Sequence, residues 1–232
     1  MDKQIKEIDQ WLALRDSLNN SYNYSESWNS AVTIFQNRIL TKYFNAINNL
    51  IHPNIKEGEG FAIVTLQCAL IEMFAAFKKG AIYNHGFTIN SPAYEYNNSS
   101  LLFVEFLTTA AIFEGIFHAK DKNGNSTNTA FSASGFYTQV RCGLMHEAKT
   151  KGDWHINATS NDNPSDRRFI KQKPKGNVIY RTLLQYALEE YFGTYLSELR
   201  SPDIAHNPLR RVFARKMDNL YDIRDNLEWW TP

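Results

Sequence analysis

Cysteine is nearly absent. Cys68 and Cys142 are the only two in 232 residues, and both sit in apolar stretches of helical period, so the chain cannot build a disulfide framework or a four-ligand zinc site without help. An excess of one charge is missing too. Lys and Arg total 25 against 24 Asp and Glu, a formal net charge of +1, which excludes polyanion binding by bulk charge and leaves local clustering as the only route to nucleic acid. Gly-rich phosphate loops, metal-ligand clusters, Ser-His-Asp patterns and DNA-reading zinc motifs are all lacking, so no cofactor and no metal are expected. The start, Met1-Asp2-Lys3-Gln4, leads into an amphipathic segment without the apolar core of a signal peptide. The longest apolar run, Phe61 to Phe77, contains Thr65, Gln67 and Glu72 and falls short of a comfortable membrane span. It reads as a buried central helix. A cytoplasmic location with no membrane partner is the expectation.

What the chain does have is apolar and aromatic bulk, 43% and 14% of residues, enough for one sizeable domain over 1–232. Ile5, Ile8, Leu12, Arg15 (by its aliphatic stem) and Leu18 form a first helical stripe, and the polar stretch Asn19 to Ser25 ends it. Trp28, Val32, Phe35, Ile39, Tyr43, Ile47 and Leu50 predict a long second helix, capped by Ser25 or Ser27 and stopped at His52-Pro53. The apolar run Phe61–Phe77, set between Gly58, Gly60 and Gly80, is the third. Residues 80 to 100 read as a loop, and Ser100 as the cap of a helix over Leu101 to Ala119. Lys120 to Thr129 is an exposed connection. Phe136, Val140 and Leu144 mark one face of a helix from Ser132 to Ala148. Trp154-His155-Ile156 and Val178-Ile179-Tyr180 suit short strands around a polar, Pro-containing loop. Helices return over Arg181 to Leu199 and, with Asn207 as cap and Pro208 at the first position, to about Trp229. The fold class expected is all-α: a bundle of six to seven helices with a small β-like flap near 152–180.

Gly135 to Thr150 is the stretch with chemistry in it. Four residues separate Arg141 from His146. A neutral imidazole can take a proton from a ribose 2′-hydroxyl and return one to a leaving oxygen. A guanidinium nearby offers forked donors to phosphate oxygens and to charge growing in the transition state. Together they could cleave RNA without a metal. Within one helix the two positions differ by about 140° and rise about 7.5 Å, so convergence needs arginine's reach, a helix loosened at Gly143, or a second copy across a dimer axis. With three neighbouring spacings allowed, eleven arginines and six histidines produce about one match by chance. Arg200 to His206 fits as well, but Pro202 breaks the helix that such a site needs.

The wider sequence adds more than the spacing does. Arg141-Cys-Gly-Leu-Met-His-Glu-Ala-Lys-Thr-Lys-Gly-Asp-Trp154, Phe61-Ala-Ile-Val-Thr-Leu-Gln-Cys-Ala-Leu-Ile-Glu-Met73 and Leu102-Phe-Val-Glu-Phe-Leu107 resemble HEPN-domain proteins, most closely a bacterial branch with an Arg-Cys-Gly-Leu-(Leu/Met)-His-Glu-Ala core. Ile179-Tyr180-Arg181 and the helix from Tyr186 to Tyr195 are similar to that branch too, so the likeness covers about residues 60 to 225. It implies a HEPN-like helical bundle and a metal-independent endoribonuclease, with Arg141 on phosphate and His146 as acid/base. It also implies a homodimer in which two such pairs share a cleft, RNA as substrate, a toxin or phage-defence setting, and an antitoxin or other protein as partner. Two features depart from the family pattern. Cys142 follows the arginine where a polar residue is common, and Glu147-Ala148 stands in place of a His-x-Tyr ending. A non-catalytic module that binds RNA, a nucleotide or a protein is the alternative.

Other residues have two readings each. Tyr137, one turn before Arg141, either orients it or simply packs. Glu72, a carboxylate in an apolar helix, needs a partner: an internal ion pair, or Arg141 or His146. Cys142 suits a small buried filler. From Lys149 to Arg181, eight basic residues face Asp153, Asp162 and Asp166, a local excess of +5, with Trp154, Phe169 and Tyr180 between them. Lys149, Lys151, Arg167, Arg168 and Lys171 are thus candidate RNA contacts, with the aromatics available to an unstacked base. A solvated loop fits the same composition.

Overall fold

The structure is a computed structural model and describes residues 3–18, 22–51, 59–121, 123–127, 131–159, 166–225 and 227–230. It is mostly helical, with five short strands among the described residues. The chain forms two compact units: Met1–Lys42 with Phe74–Asn97 and Phe192–Pro232, and Tyr43–Met73 with Asn98–Tyr191. The expected helix stop at His52-Pro53, and Gly58 and Asp162, lie outside the described residues.

In the first unit, α1 (Lys3–Leu18) buries Trp11, Arg15 and Leu18. Arg15 and Leu18 face inward as expected, but at one turn of the stripe Leu12 is exposed and Trp11 is buried instead. The cause is Asp218, buried at 1% exposure. It accepts hydrogen bonds from the Trp11 indole at 2.9 Å, from Arg15 Nε and Nη2 at 3.0 Å, and from the Trp229 and Trp230 indoles at 3.1 and 2.8 Å. Arg15 is therefore buried by its charged head as well as its stem. Helix α2 (Glu26–Ile39) starts at Ser25, whose hydroxyl accepts the Trp28 N–H. It continues through a π turn, Leu40–Phe44, into Asn45–Leu50. The extra residue of that turn puts Phe44 inside where unbroken periodicity expects Tyr43.

Helix α3 (Glu59–Lys79) is longer than the apolar run, and by length and composition it could cross a membrane. A single helix of this kind is weak evidence of a span, and over half of its apolar window is buried inside the protein, as in a core helix. After it, β1 (Ile82–Tyr83) and β2 (Glu95–Tyr96) pair in parallel within the stretch expected to be loop. The core of this unit is aromatic. Phe35 lies 4.3 Å from Phe77 and 5.5 Å from Phe213, and Phe74 lies 5.6 Å from Phe192, between ring centroids.

In the second unit, α4 (Ser99–Thr109) is capped by Asn98, whose side chain accepts the Ser100 N–H, so the cap precedes the expected Ser100. The helix stops ten residues short of Ala119. Ala110 leaves helical backbone at ψ 135°, a 3-10 turn Ala111–Phe113 follows, and Gly115 at φ +72° turns the chain away. Helix α5 is composite: Ala133–Gly135, a π turn Phe136–Arg141, then Cys142–Glu147, started by the Ser132 hydroxyl and ended by Ala148 in the left-handed conformation. Phe136, Val140 and Leu144 are buried as the spacing predicts.

Strands β3 (Trp154–Asn157), β4 (Ile170–Lys173) and β5 (Gly176–Tyr180) form a sheet in the order β3-β5-β4. β3 and β5 run parallel and β4 pairs antiparallel with β5. β4 escapes the sequence reading because Lys171 and Lys173 make it look like polar loop. Gly176 sits at φ +126°, where a Cβ would come within 2.2 Å of the Asp153 carbonyl oxygen. β5 leads straight into α6 (Arg181–Arg200), and α7 (Asn207–Leu220) follows. Asn207 does not cap α7. Its side chain bonds Arg210 and Asn23, and a 3-10 turn capped by Asp203 starts the helix instead. The helix also ends before Trp229: Asp222 is left-handed, and the two tryptophans turn back to Asp218.

Asp218→Ala is expected to destabilise the protein by about 3–5 kcal/mol in urea unfolding, since it leaves the Arg15 charge buried without its carboxylate. An unchanged midpoint would remove Asp218 from its central place. Burial, aided by the repulsion of Arg215, pulls the Lys216 ammonium down to about 8. Its proton is thus held less tightly in the folded state than in the unfolded chain. The penalty is full below pH 8 and fades as pH climbs toward the ordinary lysine value. Lys216→Met should gain on the order of 2 kcal/mol at pH 7 and lose that advantage by about pH 10, read from unfolding curves of both proteins across pH.

Candidate functional site

Glu72 lies on α3, and Arg141 closes the π turn of α5. Arg141 Nη2 donates to Glu72 Oε2 at 2.9 Å, with the two side chains 18% and 24% exposed. The guanidinium carbon also lies 5.4 Å from the centre of the Tyr137 ring, within cation–π range. Burial works against the charge on Arg141. The hydrogen bond and charge of Glu72, with Tyr137 and Cys142 beside it, outweigh that and hold the guanidinium more firmly protonated than usual. The Tyr137 hydroxyl and Ser99 Oγ share a hydrogen bond of 3.0 Å, and the Tyr137 ring meets Phe103 edge-on at 5.4 Å. Ser99 lies at the first turn of α4, and nothing in its local sequence marks it. Only the fold brings it to Tyr137.

The π turn sets this geometry. In it the Cys142 N–H reaches back to the Tyr137 carbonyl, one residue further than in an α-helix. Beyond Arg141 the helix is α again, and His146 is exposed on its last turn. Among the described residues its imidazole makes no hydrogen bond. The structure brings Arg141, Glu72 and Tyr137 together and leaves His146 at the surface of the same helix. Cys142 is half-buried and Cys68 buried, both unpaired. Desolvation pushes the Cys68 thiol up to about 12 against the lowering field of Arg141, so it is protonated near neutral pH.

Gly143 joins the helix to the segment after it. A Cβ there would lie 2.5 Å from the Lys149 carbonyl oxygen and 3.4 Å from the Lys151 backbone nitrogen. The chain turns back at Ala148 (φ 54°), and the Lys151 N–H donates to the Gln139 carbonyl at 2.8 Å. Gln139 Oε1 accepts the Trp154 indole N–H at 2.9 Å. The helix and the start of the sheet are therefore pinned together across a glycine that leaves no room for a side chain.

The basic segment divides. Lys149, Lys151 and Arg167 are exposed, Lys151 in an ion pair with Glu147. Arg168 is exposed but bound to Asp166 through Nε at 3.0 Å and Nη2 at 2.8 Å. Lys171 is buried, its Nζ 2.9 Å from Asp166 and 5.3 Å from the Tyr180 ring centre, so its charge faces inward. The Arg168 hydrogen bond, with help from Lys171, holds the Asp166 carboxyl far below its usual range. The interleaved aromatics also face inward: Trp154, Phe169 and Tyr180 are all buried, with Trp154 packed on Phe136 and Phe169 on Phe113. They offer no stacking surface, which corrects the expectation of an aromatic flap. Among the described residues, no three His, Cys, Asp or Glu are grouped to hold a metal ion.

No family model, no curated protein and no solved structure matches this chain.

Gly143→Ala is expected to cost about 1–3 kcal/mol in urea unfolding, because its obstacle is backbone carbonyl and cannot rotate aside. A variant as stable as the parent would show that the 149–151 segment is not held against the helix.

Proposed function

We propose that this chain is a metal-independent endoribonuclease of HEPN type, acting on single-stranded or structured RNA as a homodimer in the cytoplasm. The observation that carries the reading is the Glu72–Arg141 ion pair at 2.9 Å, with an exposed imidazole, His146, further along the same helix. Glu72 keeps Arg141 charged and aimed. The nitrogens not bonded to Glu72 offer donors to a phosphate and to the pentacovalent transition state. His146 would take the 2′-hydroxyl proton and return one to the leaving 5′-oxygen, giving a 2′,3′-cyclic phosphate and a 5′-hydroxyl. Lys149, Lys151 and Arg167 are exposed cations available to the backbone of the strand. The angular offset along one helix is what a second protomer would complete. The resemblance to HEPN proteins adds a toxin or phage-defence role, with an antitoxin as the protein partner.

One observation favours the alternative of a non-catalytic module that binds RNA, a nucleotide or a protein: Arg141 already commits a nitrogen to Glu72 and its plane to Tyr137. Incubating the purified protein with total RNA and chelator separates the two, because only the enzyme leaves 2′,3′-cyclic phosphate ends. His146→Ala should lower that cleavage by about 10²-fold or more with the fold intact. Glu72→Gln should lower it less. Undiminished cleavage in His146→Ala would reject the assignment.

A further inference from the structure

The segment after α3 carries a feature that the cleavage residues do not use. Residues 81–97 form a loop closed at its base by β1 and β2, with the Ile82 N–H on the Tyr94 carbonyl and the Asn84 N–H on the Tyr96 carbonyl. The parallel register sets Tyr83 directly beside Tyr96, rings 5.4 Å apart and nearly perpendicular. His85 meets Tyr83 edge-on at 4.8 Å. Three rings thus form one cluster at the surface: Tyr83 is 46% exposed, His85 is exposed and Tyr96 is half-buried. Aromatic side chains are ordinarily drawn into a core, and the other ring clusters of this unit are inside it.

The charges around the rings narrow what can cover them. Residues 81–97 contain no Lys or Arg and a single acid, Glu95. Glu95 accepts from the Asn84 amide at 2.6 Å. Nothing in the loop complements a lipid headgroup or a charged peptide. The loop's own side chains near the rings are neutral instead: the phenols of Tyr83 and Tyr96, and Asn84, which bonds Glu95 and accepts the Gly86 N–H, with Phe87 and Ile89 also exposed in the loop. Flat rings edged by neutral donors and acceptors are the recognition chemistry of an unpaired nucleobase. An endoribonuclease acting on single strands also needs such a surface, because Trp154, Phe169 and Tyr180 are buried and the net charge of +1 gives little bulk attraction.

We propose that the Tyr83–His85–Tyr96 cluster stacks an unpaired base of single-stranded RNA, a contact separate from the cleavage residues. This deepens the endoribonuclease reading and rests on RNA being the ligand. Stacking differs from phosphate contact in one measurable way. Phosphate contacts release counterions and steepen the salt dependence of binding, whereas a stacked base does so very little.

The test is fluorescence anisotropy with a labelled single-stranded oligoadenylate, in a His146→Ala background so that the probe stays intact, over a series of salt concentrations. Tyr83→Ala and Tyr96→Ala should each weaken binding about tenfold with an unchanged salt slope. Tyr83→Trp should restore it, and Tyr83→Leu, which keeps apolar bulk without a π face, should not. In contrast, Lys149→Ala with Lys151→Ala should flatten the slope. Binding by Tyr83→Leu as tight as by the parent would overturn the proposal, as would failure of the parent to bind the probe. A change in oligomeric state in Tyr83→Ala with RNA affinity untouched would also overturn it and assign the loop to a second copy. None of these readouts depends on cleavage. Loss of the enzyme assignment through His146→Ala is therefore scored separately.

Discussion

A carboxylate set in an apolar helix has to find a cation, and in this protein that requirement fixes the candidate site. Glu72 lies on the helix with the longest apolar run in the sequence. Left unpaired and half-buried there, it would be costly. Arg141 meets it at 2.9 Å, and the pairing ties α3 to α5 at the residue where α5 leaves its π turn. The first unit repeats the arrangement with Asp218, which collects Arg15 and three indoles. In both units an acid surrounded by apolar side chains determines which way its neighbours face. Dispersion and apolar burial alone would tolerate a helix rotated by one residue. A charge that must be matched does not.

The two π turns act by similar logic. Each widens an otherwise α-helical rod over one turn and so shifts the side chains at that turn, while Ile47 and Leu144 beyond stay buried. In α2 this replaces Tyr43 with Phe44. In α5 the turn spans Phe136 to Arg141, so the ring under the guanidinium, the guanidinium and the first residue after it all follow from the widened turn. Gly143, just beyond, admits the returning chain to the helix surface, and the Lys149 carbonyl occupies the place of its missing side chain. Four residues of the Arg-Cys-Gly-Leu-Met-His-Glu-Ala run have a structural reading. Arg141 binds the acid, Gly143 makes room for the chain, Leu144 is core, and Ala148 makes the left-handed stop.

How far the sequence was readable varied with the kind of information each residue carried. Long apolar stripes were clear: Phe136, Val140 and Leu144, or Trp28, Val32, Phe35 and Ile39, face inward as their spacing says. Glu72, a carboxylate in an apolar helix, signals its need for a partner, and Arg141 is among the cations the sequence offers it. β4 was hidden, because Lys171 reads as a surface lysine and becomes an interior one only once Asp166 and the Tyr180 ring are beside it. Trp154, Phe169 and Tyr180 read as a flap for bases for a similar reason. Their composition suits either surface or core, and packing against Phe136 and Phe113 decides for core. Periodicity overruns the ends of α4 and α7, where a backbone turn and the pull of Asp218 on the tryptophans override it.

By itself the sequence determined that the protein is helical and rich in core aromatics, and that one segment sets an arginine, a glycine and a histidine close together. Those features are local, set by spacing and residue type. Tertiary structure alone decided that Glu72 holds Arg141, that Ser99 meets Tyr137, that the flap aromatics are buried and that three rings of the 81–97 loop stay at the surface. Each depends on residues brought together from distant parts of the chain or on which face a segment turns to its core, and helical period carries no record of either.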